Sequence, residues 1–341
     1  MMHDDSAVRI FTTSPPSGAN PEDHLTRVRN VARWSDEAKC DGILVYTDNS
    51  MLDPWLLSAV IIQNTRALMP LVAVQPVYMH PYSVAKAIST LGYLYGRGVC
   101  LNMVAGGFKN DLIALNDCTP HQRRYDRLVE YTTIIQRLLE GGSVTFDGEF
   151  YSIQQLTLKP PLPRDLYPLI TLSGSSPEGL AAAGALHAIP VRYPEPAAGE
   201  REIAGGTENG IRVGIIARED EDTAWEVARQ RFPPDRTGKI THSIAMKVSD
   251  SVWHKQLSDL AHQTESVRSI YWLEPFQNYK TFCPYLVGSY AQVAGEIRKY
   301  LSEGSRVFIL DVPQSQEDLV HTRRVFDMAR EEALHAATSI H

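Results

Sequence analysis

Leu169-Ile170-Thr171-Leu172-Ser173-Gly174-Ser175-Ser176-Pro177 is an apolar run that ends in a Ser-Gly-Ser-Ser turn and meets a proline. A short continuous apolar run bounded by turn residues reads as a strand buried on both faces. Pro177 suits the first position of a following helix, where its fixed φ is pre-organised and its missing N–H would have no partner anyway. Strand, turn and helix in that order form the repeating unit of a parallel α/β fold.

The same unit recurs on both sides. Upstream, strands are expected at Val8–Thr12, Gly42–Tyr46, Pro70–Val74 and Val99–Val104. Helices are expected between them at Leu25–Trp34, near Pro54–Gln63 behind an Asp53 cap, and at Ser83–Leu94 behind a Ser83 cap. Arg123–Leu139 is the strongest helical pattern, and Gly141–Gly142 stops it. Ser143–Phe146 and Glu149–Ile153 flank Asp147–Gly148, a hairpin-turn dipeptide. Counting Leu169–Ser173 as the fifth strand, His187–Val191 is the sixth, Ile211–Ala217 the seventh and Arg306–Leu310 the eighth, with a closing helix at Leu319–Ala337.

Eight such strands imply a closed (β/α)8 TIM barrel, taken as a single domain over residues 1–341. Two connections are irregular. Pro194–Gly210 is rich in Pro, Gly and Glu and short of apolar periodicity, so the link between strands six and seven is shortened and the barrel degenerate. The link between strands seven and eight, about 218–305, is long enough to need helices of its own. These are expected at Asp222–Arg231, Trp253–Thr264 and Tyr290–Ser302, forming an excursion from the barrel.

Hydrophobic residues make up 43% of the chain and charged residues 21%, with a net charge of −7. That balance suits a globular protein and argues against a dedicated nucleic-acid surface. No apolar run approaches the roughly 20 residues of a membrane span, and the N-terminus has no signal pattern. The four cysteines, Cys40, Cys100, Cys118 and Cys283, form no CxxC pair, so neither a zinc site nor a redox dithiol is expected. The expectation is a cytoplasmic protein with reduced thiols. His80, His187 and His254 stand alone, without metal-ligand spacing, and read as structural or exposed.

Three segments have chemical potential. The Ser173–Ser176 turn would offer hydroxyls, backbone N–H groups and a helix N-terminus to one anion. It would equally serve as a plain helix cap, and the residues alone allow both. Asn102, followed by Ala105 and the glycines at 106 and 107, would bring an amide to a ring edge and leave room for a planar ligand. The bland alternative is a strand that ends in a glycine turn. Tyr125, in His121-Gln122-Arg123-Arg124-Tyr125, is either a packing residue or a hydroxyl donor to a phosphate or an oxygen.

Leu101–Gly107, Arg124–Tyr125, Leu138–Leu139, Phe146–Gly148 and Gly174–Ser176, in that order and spacing, resemble the bacterial-luciferase-like flavin monooxygenases, and most of all their alkanesulfonate branch. The resemblance implies a barrel that binds reduced FMN from a separate NAD(P)H:flavin reductase and uses O2 to oxygenate an organic substrate. It implies that Ser173, Gly174, Ser175 and Ser176 hold the flavin phosphate. Asn102, Ala105, Ala73 and Tyr125 would lie along the flavin, with a cis peptide at Ala73–Val74 or its neighbour. It also implies a homodimer or homotetramer.

Relative to the alkanesulfonate enzymes the chain has Thr12-Thr13-Ser14 in place of a His, Ser50-Met51 in place of a Cys, Gly214 in place of the His of Arg-x-His, and Asp311-Val312 in place of a Tyr. Arg212 is kept and is the candidate anchor for an anionic group. Thr13, Tyr46, Met51, Arg212 and Gly214 are the expected substrate pocket, Tyr125 and Arg212 the candidate catalytic residues. The exchanges argue against sulfonate cleavage and for a larger, more apolar substrate. A deazaflavin-dependent oxidoreductase and a flavin binder without turnover are the alternatives the sequence leaves open.

Overall fold

In a computed structural model of the chain, the opening stretch forms a strand, a tight turn and a helix that starts at Pro177. Residues 8–18, 20–106, 109–196, 208–235, 237, 238, 241 and 268–338 are described by the structure. In chain order the elements are β1 (Arg9–Thr13), α1 (Pro21–Glu37), β2 (Gly42–Val45), α2 (Pro54–Asn64), β3 (Met69–Val74), α3 (Pro81–Tyr95), β4 (Cys100–Val104), α4 (Lys109–Ala114) and α5 (His121–Glu140). Then follow β5 (Ser143–Asp147), β6 (Ser152–Thr157), β7 (Ile170–Ser173), α6 (Pro177–Leu186), β8 (Ile189–Arg192), β9 (Asn209–Arg218) and α7 (Glu221–Arg231). The last are β10 (Tyr271–Trp272), α8 (Glu274–Gln277), β11 (Tyr285–Ser289), α9 (Tyr290–Ser302), β12 (Ser305–Leu310) and α10 (Gln316–Thr338).

The chain divides into two compact units, the first built mainly from residues 13–191 and the second mainly from 6–12 and 192–341. In the first unit β2, β3, β4, β7 and β8 pair side by side, all parallel. Their near-continuous apolar sequences match burial on both faces. Val72, Leu101, Leu172 and the α5 residues Leu128, Tyr131, Ile134 and Ile135 form the heart of this core. In the second unit β1 pairs with β12, β12 with β9, and the outer half of β9 with β11, again all parallel. Trp225, Trp272, Phe232 and Tyr285 pack edge to face beside them. The five parallel strands of the first unit, with β1, β9 and β12 of the second, are the eight strands of a (β/α)8 barrel.

Several expected boundaries move, each for a local reason. Helix α3 is capped by His80, whose Nδ1 accepts the Tyr82 N–H, and Pro81 opens it, so Ser83 lies inside the first turn. His187 is not in the sixth strand: it closes α6 in the left-handed region at φ 50°, and β8 starts at Ile189. The hairpin after α5 has no two-residue turn. Glu130 accepts the N–H groups of Glu149, Phe150 and Tyr151, which withdraws them from the ladder and delays β6 to Ser152. The Ala73–Val74 peptide is trans, and Lys159–Pro160 is the cis bond among the described residues. The peptide bonds neighbouring Ala73–Val74 are trans as well. In the long connection α7 and α9 form as expected. The helix expected at Trp253–Thr264, the lone His254 and most of the link between strands six and seven lie outside the described residues.

Asp36, near the end of α1, anchors the turn that leads into β3. Its carboxylate accepts the N–H groups of Arg66, Ala67 and Leu68 at 2.7, 2.9 and 2.8 Å. Partial burial opposes its charge, but these bonds and Arg97 outweigh that and hold the acid below its usual 3.8. A depressed carboxyl contributes stability above its unfolded pKa and loses it as pH falls through the folded value. Asp36→Ala is therefore expected to cost about 1–2 kcal/mol at pH 7 in urea unfolding, with solvent screening keeping it modest. The difference from the parent protein should shrink as the pH is lowered below about 4, through the depressed carboxyl pKa.

Candidate functional site

The parallel strands place their C-terminal ends at the face where barrels of this kind collect functional loops. At that end of β4 and β7, Asn102 is buried and its side-chain oxygen accepts two hydroxyls, Thr171 at 2.9 Å and Ser173 at 3.0 Å. Thr171 lies opposite Asn102 in the strand register, which sets the pair. With the oxygen engaged by two donors, the amide nitrogen is the group left to meet a ligand. Ala105 is buried just beyond β4. Arg124, also buried, donates to the Thr119 and Gly106 carbonyls and ties the start of α5 to the turn after β4.

The Ser-Gly-Ser-Ser turn is seated on Tyr125. Ser176 caps α6 by accepting the Gly179 N–H at 3.1 Å, and it is a hydrogen-bond partner of the Tyr125 hydroxyl. A Cβ on Gly174 would stand 2.9 Å from the Tyr125 hydroxyl oxygen, and one on Gly179 would stand 3.2 Å from it. A side chain at either glycine would crowd the phenol, more closely at Gly174 than at Gly179. Burial raises the Tyr125 pKa, so the residue stays a neutral hydroxyl at physiological pH. His121 packs edge-on against its ring at 5.6 Å.

Ser175 differs from its neighbours. Its Oγ is buried and has no hydrogen-bond partner in the protein. An unmatched buried hydroxyl costs about 1–3 kcal/mol unless something binds it. Beside the N-terminus of the ten-residue α6 it forms a cradle suited to an anion with several acceptor oxygens, such as a phosphate. The turn, Asn102 and Tyr125 thus converge at one end of the first unit.

The expected pocket residues separate. Met51 and Ala73 line a cleft of about 440 Å3 beyond the ends of β2 and β3, together with Trp55, Gln75, Tyr78 and Met79. Thr13 is fully buried at the end of β1, and Tyr46 is half-buried just after β2. Arg212 and Gly214 lie on β9 in the second unit. Gly214 does not enlarge a pocket. A Cβ there would come within 2.3–2.5 Å of the Tyr285 ring, so the room gained by losing a His side chain is filled by a phenol from β11.

Tyr285 and Thr281 escaped sequence reading, and Asp311 is read there only as standing, with Val312, in place of a Tyr. Both hydroxyls donate to one oxygen of Asp311, at 2.7 and 2.6 Å, and burial followed by Asp311 pushes the Tyr285 hydroxyl well above 10. Arg212 hydrogen-bonds Tyr193, whose hydroxyl burial pushes up to about 12 against the pull of that guanidinium. The polar group missing at position 214 therefore has a counterpart on a strand outside the eight. No sequence spacing links Gly214 to Tyr285; a glycine on a buried strand was the available signal. Among the described residues no group of His, Cys, Asp and Glu could hold a metal ion.

Comparison with known proteins places these observations. The family model for luciferase-like monooxygenases matches residues 6–306. A monooxygenase from Niallia circulans, BtrO, which acts on 4-(gamma-L-glutamylamino)butanoyl-[BtrI acyl-carrier protein], is 36% identical over 86% of this chain and 89% of its own. Among solved structures, the long-chain alkane monooxygenase LadA superposes with a TM-score of 0.73 at 16% identity, covering 96% of this chain and 92% of that one. An F420-dependent secondary alcohol dehydrogenase superposes with a TM-score of 0.64 at 18% identity, covering 95% and 99%. Such distant likenesses carry the barrel fold.

The packing of Tyr285 on Gly214 is testable by coupling. Gly214→Ala should destabilise the protein by about 1–3 kcal/mol in urea unfolding, since the added methyl meets a buried ring. In a Tyr285→Leu background the same change should cost under about 0.5 kcal/mol. Equal costs in both backgrounds would show that the ring does not occupy that space.

Proposed function

The chain belongs to the luciferase-like monooxygenase family, and from that premise we propose that it binds reduced FMN and uses O2 to oxygenate an acyl chain presented as a carrier-protein thioester. The supporting observation is the convergence of Asn102, Tyr125 and the Ser173–Ser176 turn, with the buried, unmatched Ser175 hydroxyl among them. Reduced flavin, when bound, supplies the electrons and the site at which oxygen is activated.

The chain's own residues then have limited tasks. Ser175, with the backbone of the Ser173–Ser176 turn and the positive end of the α6 dipole, holds the phosphate, while Ser176 keeps the helix start in place by capping the Gly179 N–H. Gly174 keeps that surface free of a side chain and makes room for Tyr125. Tyr125, kept protonated by burial, donates to a phosphate or a reacting oxygen and cannot act as a base near neutral pH. Asn102, oriented by Thr171 and Ser173, directs its amide nitrogen to a ring edge. Ala73 and Ala105 leave space for a planar ring. Arg212, oriented by Tyr193, is the cation assigned to an anionic or carbonyl oxygen of a ligand. Few protein acids and bases are needed, because the cofactor carries the chemistry and the protein positions the reactants and excludes water.

The acyl-thioester assignment comes from the 36% identical relative. The presence of Thr12-Thr13-Ser14, Ser50-Met51 and Asp311-Val312 in place of a His, a Cys and a Tyr supports it over a sulfonate, since the chain lacks the groups the sulfonate enzymes keep. A separate NAD(P)H:flavin reductase, a cytoplasmic location and a homo-oligomer complete the reading.

The test is turnover under labelled oxygen. With free reduced FMN, 18O2 and a panel of acyl thioesters and short alkanesulfonates, we expect one labelled oxygen in a thioester product and none with the sulfonates. Reduced deazaflavin should not replace FMN. Turnover confined to sulfonates, or product formed with reduced deazaflavin in the absence of oxygen, contradicts the proposal.

A further inference from the structure

The cleft beyond β2 and β3, which Ala73 borders on the side assigned to the flavin ring, has a chemical bias of its own. Its apolar wall includes Met51, Trp55, Met79 and Leu115, and its ionised groups are two carboxylates, Asp48 and Asp53, with no Lys, Arg or His among the lining residues. Each carboxylate is half-engaged. Asp48 Oδ1 accepts the Ser50 N–H and hydroxyl at 2.7 and 2.6 Å. Asp53 Oδ1 caps α2 by accepting the Trp55 and Leu56 N–H groups, both at 2.9 Å. Neither second oxygen takes a hydrogen bond among the described residues.

Gln75 adds an independent sign. It is 7% exposed and lines the cleft, and its amide nitrogen donates to the Thr47 carbonyl at 3.2 Å. That bond uses one N–H of the amide and holds the side chain by its nitrogen, and its carbonyl oxygen, an acceptor, takes no hydrogen bond among the described residues. Tyr78 is held the other way, donating its hydroxyl to Asn49 at 2.9 Å, while Asn49 is tied to Asp111 through its backbone and amide N–H groups. The local field is negative: burial first, then Asp111 and Asp48, raise the Tyr78 hydroxyl to about 12. Aromatic side chains beside carboxylates and a carbonyl oxygen are the surroundings that favour an alkylammonium group.

We propose that this cleft is an ammonium subsite: it takes the end of an aliphatic chain that carries a primary amine, with Asp48 and Gln75 as its acceptors, Asp53 at its rim and Trp55 and Tyr78 as aromatic walls. This rests on the oxygenase reading only in taking the occupant to be the substrate. The substrate class becomes an amino-acyl chain. An anionic chain end would meet two carboxylates with no cation among the lining residues, which disfavours sulfonates and free carboxylates.

Binding to the full-length protein tests this without flavin. Titration calorimetry at pH 7 with n-hexylammonium, 1-hexanol and hexanoate should give n-hexylammonium at least about tenfold tighter than hexanoate, a difference of about 1.4 kcal/mol. Asp48→Asn should cut that preference below about threefold. Asp53→Asn, whose amide still caps α2, should reduce it less. Circular dichroism and the thermal midpoint report whether each variant is folded. Hexanoate binding as tightly as the amine, or a folded Asp48→Asn that keeps the full preference, overturns the subsite. Amine selectivity in a protein that fails to consume oxygen with reduced FMN would instead overturn the oxygenase reading alone.

Discussion

One contact organises the candidate cofactor site: the Tyr125 phenol seated in the space that Gly174 and Gly179 leave empty, beside Ser176. It fixes the first turn of α5 against the turn that joins β7 to α6. Ser176 is then free to cap α6, and the backbone around Gly174 is held open. Arg124, the preceding residue, binds the other side of the same helix end to the turn after β4. Two adjacent residues of one helix thus align the ends of two neighbouring strands. The Asn102 oxygen joins those strands a second time through Thr171 and Ser173. This rigidity matters because a phosphate cradle works through donors already in place when the ligand arrives.

The second unit solves a different problem. Its polar cluster hangs on Asp311, which gathers Thr281 and Tyr285, and on Arg212, which is steadied by Tyr193. Where related enzymes keep a histidine, this chain has a glycine whose vacancy is filled by a tyrosine from another strand. A phenol held far above its usual pKa is a donor over the whole physiological range, whereas an imidazole changes charge within it. The exchange therefore removes a titrating group and keeps a polar one. In the first unit a corresponding bias lies in the cleft beyond β2 and β3, whose lining holds two carboxylates and no cation.

The architecture was largely legible because its signals are local. Apolar runs with turn residues marked all eight parallel strands, and Asp53, Gly141 and Pro177 marked helix ends where the structure has them. Errors arose where a residue distant in sequence took over a local group. Glu130 removed three N–H groups from the hairpin, and a Cα-only glycine at 214 looked like open space until Tyr285 was seen in it. Of the candidate site, the convergence of Asn102, Tyr125 and the serine turn was readable from order and spacing. Its internal division was not: Ser173 is committed to Asn102 and Ser176 to the helix cap, and Ser175 is the hydroxyl without a partner. The acceptor bias of the cleft was hidden too, since it depends on which oxygen of each carboxylate a turn has already used.

The central claim is that the turn around Gly174 binds a doubly charged phosphate, with Ser175 as the hydroxyl waiting for it. Anaerobic titration of the protein with reduced FMN and with reduced riboflavin, which lacks the phosphate, measures this directly. FMN should bind at least about tenfold tighter, and Ser175→Ala should erase most of that advantage while leaving riboflavin affinity unchanged. Equal affinities for the two flavins, or a Ser175→Ala protein that still prefers FMN to the full extent, would contradict the account.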